Sequence, residues 1–237
     1  MKAVILAAGA GRRLANMGWD GPKCLLPCGD RTLLDNLIES LLTYRTRRVV
    51  IVVGYQRDRV EAAVRHCPID VEFVVNEDYA HTNTIHSLWL ARSHLHDGFL
   101  YFNADVWFDG RILDLLLRHD GSALAVDTKK CADEEVKVIV DAASRITRIG
   151  KALPPDRCAG EFIGIGKFDR SACPAMIESL DRYNEELERR NLFFESALDD
   201  ILTAHVFTCV PIGDLRAIEI DTPEDYAAAV KQTASPR

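Results

Sequence analysis

The first residues whose types suggest chemistry are two glycines behind an apolar run, Gly9-Ala10-Gly11, followed at once by Arg12-Arg13 and ten residues later by Lys23. Glycines after a strand let backbone N–H groups approach phosphate oxygens closely, and an arginine and a lysine add the charge a polyphosphate needs. Two common phosphate loops fail against this stretch. A dinucleotide fingerprint needs a third glycine at position 14, where the chain has Leu14, and a Walker loop needs Gly-Lys-Ser/Thr, which is absent. What remains is a short glycine loop with Arg13 and Lys23 beside it, suited to a triphosphate held side-on.

Two carboxylates add to this pattern. Asp105 closes the apolar run Phe99-Leu100-Tyr101-Phe102, and Asp221 closes Ile218-Glu219-Ile220. Open α/β sheets place ligands at strand ends, and a phosphate-bound Mg²⁺ takes hard oxygen ligands while keeping several waters. Either carboxylate alone also reads as a cap or turn residue, and Asp221 before Thr222-Pro223 as the approach to a helix. Together with the glycine loop they point to a metal site. The histidines do not: His81 and His86 are five apart and His94 and His96 alternate, spacings that do not suit zinc. The seven cysteines are scattered, and Cys24 and Cys28 have no second pair at ligand spacing, so they read as small buried residues in a reducing compartment.

Periodicity supplies the framework for these residues. Residues 2–8, 49–53, 71–75 and 98–105 read as strands buried on both faces, and 32–44, 57–66, 84–94 and 111–119 as helices between them. Thr32 is the expected N-cap of the first helix. Strand and helix alternating at this spacing predict an α/β fold: a doubly wound, mostly parallel, Rossmann-like sheet with helices on both faces. The second half adds short strands at 123–126, 136–140, 146–149 and 162–165, which suggest a small inserted β region. Helices are expected at 172–189 and 198–204, strands at 206–211 and 217–221, and a final helix capped by Thr222 with Pro223 at its first position. One domain over residues 1–230 is predicted, with 1–120 mainly nucleotide-binding, 121–230 mainly acceptor-binding, and 231–237 a frayed tail.

The stretch Leu6-Ala7-Ala8-Gly9-Ala10-Gly11-Arg12-Arg13-Leu14 with Pro22-Lys23 downstream resembles the signature of the sugar-1-phosphate nucleotidyltransferase superfamily. The residues from Asn76 to Leu88, Asn-Glu-Asp-Tyr-Ala-His-Thr-Asn-Thr-Ile-His-Ser-Leu, resemble the phosphocholine and phosphonate cytidylyltransferase branch. The Gln-x-x-x-x-Gly-Thr-Ala pattern of glucose-1-phosphate enzymes is missing there. Asp133 to Val138, Lys151 after Ile149-Gly150, and Gly160 to Ile165 are similar to the same branch. The resemblance implies a nucleotide site made by Leu6, Ala8, Gly9, Ala10, Gly11, Arg13, Lys23, Asn83, Ser87 and Asp105. It implies Mg²⁺ on Asp105 and Asp221, and Lys137, Lys151 and Glu161 at the acceptor. Arg13, Lys23, Asp105 and Asp221 are then the catalytic set. Asn83, or Thr82, also reads simply as a helix cap. Ala217 departs from the pattern, where relatives often carry Trp, which affects pocket shape. Trp107 and Phe108 read as packing, with a place in the acceptor pocket as the alternative.

The implied activity is a Mg²⁺-dependent transfer of CMP from CTP to a small phosphate or phosphonate, with release of pyrophosphate. The alternatives are a sugar-1-phosphate nucleotidyltransferase using UTP, dTTP or GTP, and, from another class, a non-catalytic nucleotide-binding regulatory subunit. Acidic Asp133, Glu134 and Glu135 could attract an amine on the acceptor, and Lys129, Lys130, Arg145 and Arg148 a carboxylate; the sequence leaves that choice open. A net charge of −7 argues against a broad nucleic-acid surface. No stretch approaches the roughly 18 apolar residues of a membrane span, and the N-terminal run is too short for a secretory signal. A cytoplasmic enzyme with no membrane partner is expected; oligomeric state has no signal in the sequence.

Overall fold

The structure, a computed structural model, describes residues 1–233; the last four residues of the predicted tail, 234–237, lie outside the described residues. The first half contains β1 (Lys2–Ala7), β2 (Pro27–Cys28), β3 (Arg31–Thr32), α1 (Leu33–Thr43), β4 (Arg48–Val53), α2 (Arg57–Val64) and β5 (Asp70–Val75). Next come α3 (Thr84–Leu90), β6 (Phe99–Asn103), β7 (Val106–Phe108), α4 (Arg111–Arg118) and β8 (Ser122–Asp127). The second half adds β9 (Lys137–Val140), β10 (Ile146–Gly150), β11 (Gly160–Phe168), α5 (Cys173–Glu185), α6 (Glu195–Asp199), β12 (Phe207–Pro211), β13 (Ala217–Glu219) and α7 (Pro223–Thr233).

The main sheet runs β10-β9-β11-β6-β1-β4-β5, with β8 also on β11 and β12 on β8. Strands β6, β1, β4 and β5 pair in parallel, as the strand–helix alternation predicts. Strand β11 enters antiparallel to β6 and carries the β9–β10 hairpin, which is the inserted β region. Strand β1 shows why both faces must be covered. Ala3, Ile5 and Ala7 join a core with Leu37, Leu41, Val60 and Leu113, whereas Val4, Leu6 and Ala8 join another with Leu88, Met176, Leu180 and Phe194. Alternate side chains of one strand thus feed two layers, α1, α2 and α4 on one side and α3, α5 and α6 on the other. The helix expected at Thr32 has its capping box: the Thr32 hydroxyl accepts from Asp35 N–H, and the Asp35 carboxylate accepts from Thr32 N–H.

Several bounds differ from the sequence expectation, for physical reasons. The helix expected over 172–189 breaks after Glu185 into a short 3₁₀ turn, Leu187–Asn191. The one expected over 198–204 lies earlier, as α6, because Phe194 is fully buried and its N–H donates to the Thr84 hydroxyl, fixing the chain just ahead of Glu195. Strand β11 has nine residues, not the four of 162–165. Its regular pairing with β8 is interrupted between Phe162 and Gly166. At Gly164 φ is +73°, and a Cβ there would lie 2.7 Å from the Asn103 amide. A bulge of this kind hides a long strand from a period-of-two pattern. Strand β7 has no sequence counterpart, being three residues long.

Candidate active site

The short β7–β13 ribbon makes the site. Asp105 immediately precedes β7 and Asp221 lies two residues beyond β13, and the two strands pair antiparallel with Val106 opposite Glu219. Ile220 N–H donates to the Asp105 carbonyl at 3.0 Å, extending the pairing by one step. This register brings together carboxylates from distant parts of the chain. A third joins them: Glu219 is two residues before Asp221, and side chains two apart on an extended segment share a face. Carboxylate oxygens of Asp105, Glu219 and Asp221 all lie within 4.8 Å of one another. Sequence reasoning missed Glu219, although the Glu-x-Asp spacing on a strand is the signal that would have found it.

Lys23 answers this cluster. Its ammonium donates to Asp105 Oδ2 at 2.8 Å and also to Asp221 Oδ1. Burial works against a charge on Lys23, but the two carboxylates outweigh it and hold the ammonium above its ordinary pKa. Burial likewise opposes ionisation of Asp221, yet Lys23 and then Arg13 keep that carboxyl below the usual range. For Glu219 the relief from Lys23 is too small: burial, then Asp105 and Asp221, push it up to about 8. Arg13, mostly exposed, reaches Asp221 Oδ2 at 3.3 Å. The residues fit a divalent cation on two counts. All three donors are hard oxygens, and Asp105 Oδ1 is buried with no hydrogen-bond partner among the described residues.

A cavity of about 300 Å³ opens over this cluster. Of the expected nucleotide residues, Leu6, Ala8, Gly9, Arg13, Asn83, Ser87 and Asp105 line it, as does Asp221. A Cβ on Gly9 would meet nothing within 4 Å, so the backbone there faces open space. Gly11 plays a different part: φ is +57°, and a Cβ would press on the Lys23 side chain at 3.3 Å, so the glycine admits the lysine. Ala10, Gly11 and Lys23 are not among the residues that line it. Buried Asn76 donates to both the Thr82 and Ser87 hydroxyls at 3.1 Å, which sets the start of α3. Asn83 caps α3 by accepting from Thr84 N–H, and it also lines the cavity.

The three expected acceptor residues separate. Lys151 lines the cavity, its ammonium 4.5 Å above the centre of the Phe193 ring. Lys137 is not brought there: it is fully buried and donates to the carbonyls of Ala132, Asp133 and Glu135, so it closes the loop before β9. Glu161 is held by Lys129 at 2.8 Å and lies outside the lining. Phe108 packs in the core beside Phe102, and Trp107 lies against Leu14, Leu26 and Ile220, the packing reading of both aromatics. Glu195, Phe162 and Phe193, none singled out by sequence, complete the far wall.

A parallel sheet with a glycine loop and an acidic cluster at the strand ends defines a nucleotide-handling α/β enzyme. Residues 3–164 match the MobA-like NTP transferase domain, and the chain belongs to that family of nucleotidyltransferases. Among its relatives is a CMP-5'-(3-aminopropyl)phosphonate synthase of Streptomyces rubellomurinus, 30% identical over the whole of this chain. This chain spans 39% of that protein's length. A CTP:phosphoglutamine cytidylyltransferase of Campylobacter jejuni is 26% identical, with 93% of each chain covered. The solved structure of a CTP:phosphocholine cytidylyltransferase from Streptococcus pneumoniae superposes with a TM-score of 0.83 over 98% of both chains, at 20% identity. Among the described residues no helix is long and apolar enough to cross a membrane.

Proposed function

We propose that the protein transfers CMP from CTP to a small phosphate or phosphonate acceptor and releases pyrophosphate. The observation that carries this reading is the single cavity in which the glycine loop, the three carboxylates and Lys151 meet. The Streptomyces and Campylobacter relatives, which by their names act on CTP or form CMP conjugates of phosphate or phosphonate compounds, support the choice of base and acceptor.

An acceptor oxygen, already anionic at neutral pH, attacks the α-phosphorus of CTP. The new P–O bond forms as the bond to the β-phosphate oxygen breaks, and pyrophosphate departs with the electron pair. No general base is needed, and catalysis consists of positioning and charge neutralisation. Gly9 and the backbone around it cradle the triphosphate, Asn83 and Ser87 face the nucleoside, and Lys151 orients the acceptor anion. Arg13 and Lys23 offset charge on the leaving pyrophosphate, for which Lys23 exchanges its carboxylate partners for phosphate oxygens. Asp105 and Asp221, with Glu219 beside them, are the residues that would hold Mg²⁺. When bound, that ion supplies charge neutralisation at the phosphate oxygens. One catalytic domain is proposed, residues 1–120 serving mainly the nucleotide and the remainder the acceptor, in a cytoplasmic setting.

The test is pyrophosphate release with Mg²⁺, using CTP, UTP, dTTP, ATP and GTP against small phosphates, phosphonates and sugar-1-phosphates. Turnover with CTP and a non-sugar acceptor is expected, and Asp105→Ala should lower it by about 100-fold or more while the circular dichroism spectrum is retained. Turnover with a sugar-1-phosphate alone overturns the cytidylyltransferase reading. Nucleotide binding without turnover for any pair favours a regulatory subunit.

A further inference from the structure

Asn103 lines the cavity two residues before Asp105. It ends β6 opposite Leu6 of β1, and Ala104 N–H donates to the Leu6 carbonyl, so the chain stays extended past Asn103. Side chains two apart on such a segment share a face. The Asn103 side chain is half-buried, and its Nδ2 has no hydrogen-bond partner among the described residues. The other end of the amide is fixed. The Tyr101 hydroxyl donates to Asn103 Oδ1 at 2.6 Å, and Tyr101 is itself fully buried, its ring centre 4.1 Å from that of Phe194. Burial, then Glu195, Asp105 and Glu219, hold the Tyr101 phenol well above its ordinary pKa, so it remains a donor. With Oδ1 occupied in this way, the N–H bonds are what the amide has left to offer. Strand β11 makes room for them. Its bulge falls at Gly164, beside the Ile165–Phe102 pair, where a Cβ would strike Nδ2 itself. Bulges recur next to active sites because they re-aim a side chain.

We propose that the Asn103 amide donates to a non-bridging oxygen of the α-phosphoryl group during its transfer, which makes Asn103 a further catalytic residue and Tyr101 its positioning residue. The proposal rests on the reading of the cavity as a nucleotidyl-transfer site, but not on which base or acceptor enters. Location supports it. The Tyr101–Asn103 pair lies within electrostatic reach of Asp105 and Glu219 in the acidic cluster and of Glu195 on the far wall. The amide therefore stands between the carboxylates and the wall that carries Lys151, where the two reactants have to meet. Chemistry supports it too. A carboxylate at this position would add another negative charge beside Asp105, Glu219 and Asp221, and a lysine would be drawn into ion pairs with them, as Lys23 is. A neutral amide donates to phosphoryl oxygens without doing either. It gives up no proton: the acceptor O–P bond forms and the bond to the β-phosphate oxygen breaks, while the amide steadies the charge on the oxygen between them. A donor held in advance by Tyr101 and the β11 bulge needs no reorganisation at that moment.

Steady-state kinetics test this, with whichever nucleotide and acceptor the wild type turns over, on Asn103→Ala, Asn103→Asp, Tyr101→Phe and the double variant Tyr101→Phe/Asn103→Ala. Loss of the donor in Asn103→Ala should lower kcat by about 100-fold, as for one oxyanion-hole donor, with KM for both substrates little changed. Asn103→Asp is isosteric and still accepts from Tyr101, so it decides where the alanine variant fails to fold, and its kcat should fall at least as far. Tyr101→Phe should lose less, and it should add nothing to the loss in the double variant, because Tyr101 acts through Asn103. The two diastereomers of the α-thio nucleotide locate the contact. Sulfur accepts hydrogen bonds poorly, so for one diastereomer the oxygen-to-sulfur ratio of kcat should fall in the Asn103 variants. Wild-type kcat in a folded Asn103 variant, a loss confined to KM, or ratios unchanged for both diastereomers each overturns the assignment. Additive losses in the double variant overturn the positioning role of Tyr101. Turnover with a sugar-1-phosphate alone overturns the cytidylyltransferase reading and leaves Asn103 to be judged on that pair. Turnover from CTP with indifferent Asn103 variants does the reverse, and no turnover with any pair overturns both.

Discussion

Lys23 sits among the carboxylates proposed to hold a divalent cation, and its removal distinguishes structural from catalytic need. Lys23→Met leaves Asp105, Glu219 and Asp221 without their buried cation. The metal-free protein should lose about 1–3 kcal/mol, a buried-pair penalty discounted for the partial exposure of both aspartates. Millimolar Mg²⁺ should then recover more thermal stability in Lys23→Met than in the wild type, by scanning calorimetry in EDTA and in Mg²⁺; equal recovery argues against a metal on these residues. Glu195 gives a pH signature of its own. Its folded pKa of about 7 lies above the ordinary 4.5, so the folded state binds the proton more tightly between those values. Stability should therefore fall as pH rises through that window and level off above it. Relative to Glu195→Gln the drop should reach about 2 kcal/mol between pH 5 and pH 7, read from urea unfolding at pH 5, 6 and 7. Wild-type and variant curves that run parallel would remove that account of the side chain.

At the level of elements, the acidic cluster depends on the turn that joins β13 to α7. The Asp225 carboxylate accepts from Asp221 N–H, Thr222 N–H and the Thr222 hydroxyl, and Asp225 N–H donates back to that hydroxyl. The cap that starts α7 thus also clamps the backbone of Asp221. Asp225→Ala should cost about 1–2 kcal/mol, as a lost cap does. It should also raise the Mg²⁺ concentration needed for half-maximal turnover, because Asp221 is no longer held. A stability loss with an unchanged Mg²⁺ requirement would confine Asp225 to capping. Much of this was legible: Thr222 and Pro223 mark the helix start, Thr32 the earlier one, and apolar runs the parallel strands. The β7–β13 pairing was not, because three-residue strands carry too little pattern, and its register exists only once β6 has delivered Asp105 beside it.

Across the whole molecule, the proposed nucleotide and acceptor sides of the cavity share one wall. Asn83 N–H donates to the Arg190 carbonyl and Phe194 N–H to the Thr84 hydroxyl, so the start of α3, proposed to serve the nucleotide, is tied to the segment that presents Phe193 and Glu195. Nucleotide binding should therefore stabilise the chain globally. CTP with Mg²⁺ at about 100 times its dissociation constant contributes about 2.7 kcal/mol, a rise of several degrees in Tm at this size. EDTA or Asp105→Ala should abolish most of the rise; a shift that survives both would place CTP elsewhere. On the proposed reading, the net charge of −7 makes local neutralisation by Arg13, Lys23 and a metal the condition for binding so anionic a ligand.

The parallel sheet, the glycine loop and the two aspartates worth pairing were all dictated by sequence alone. Strand burial, glycine permissiveness and strand-end carboxylates are local properties, written in composition and spacing. It took the folded chain to bring Glu219 to those aspartates, to set Lys23 between them, and to spend Lys137 on backbone carbonyls. Folding alone placed Glu195, far from Asp105 in the chain, on the wall of the same cavity. These outcomes depend on long-range register and on which buried charge finds a partner, and neither quantity is carried by neighbouring residues.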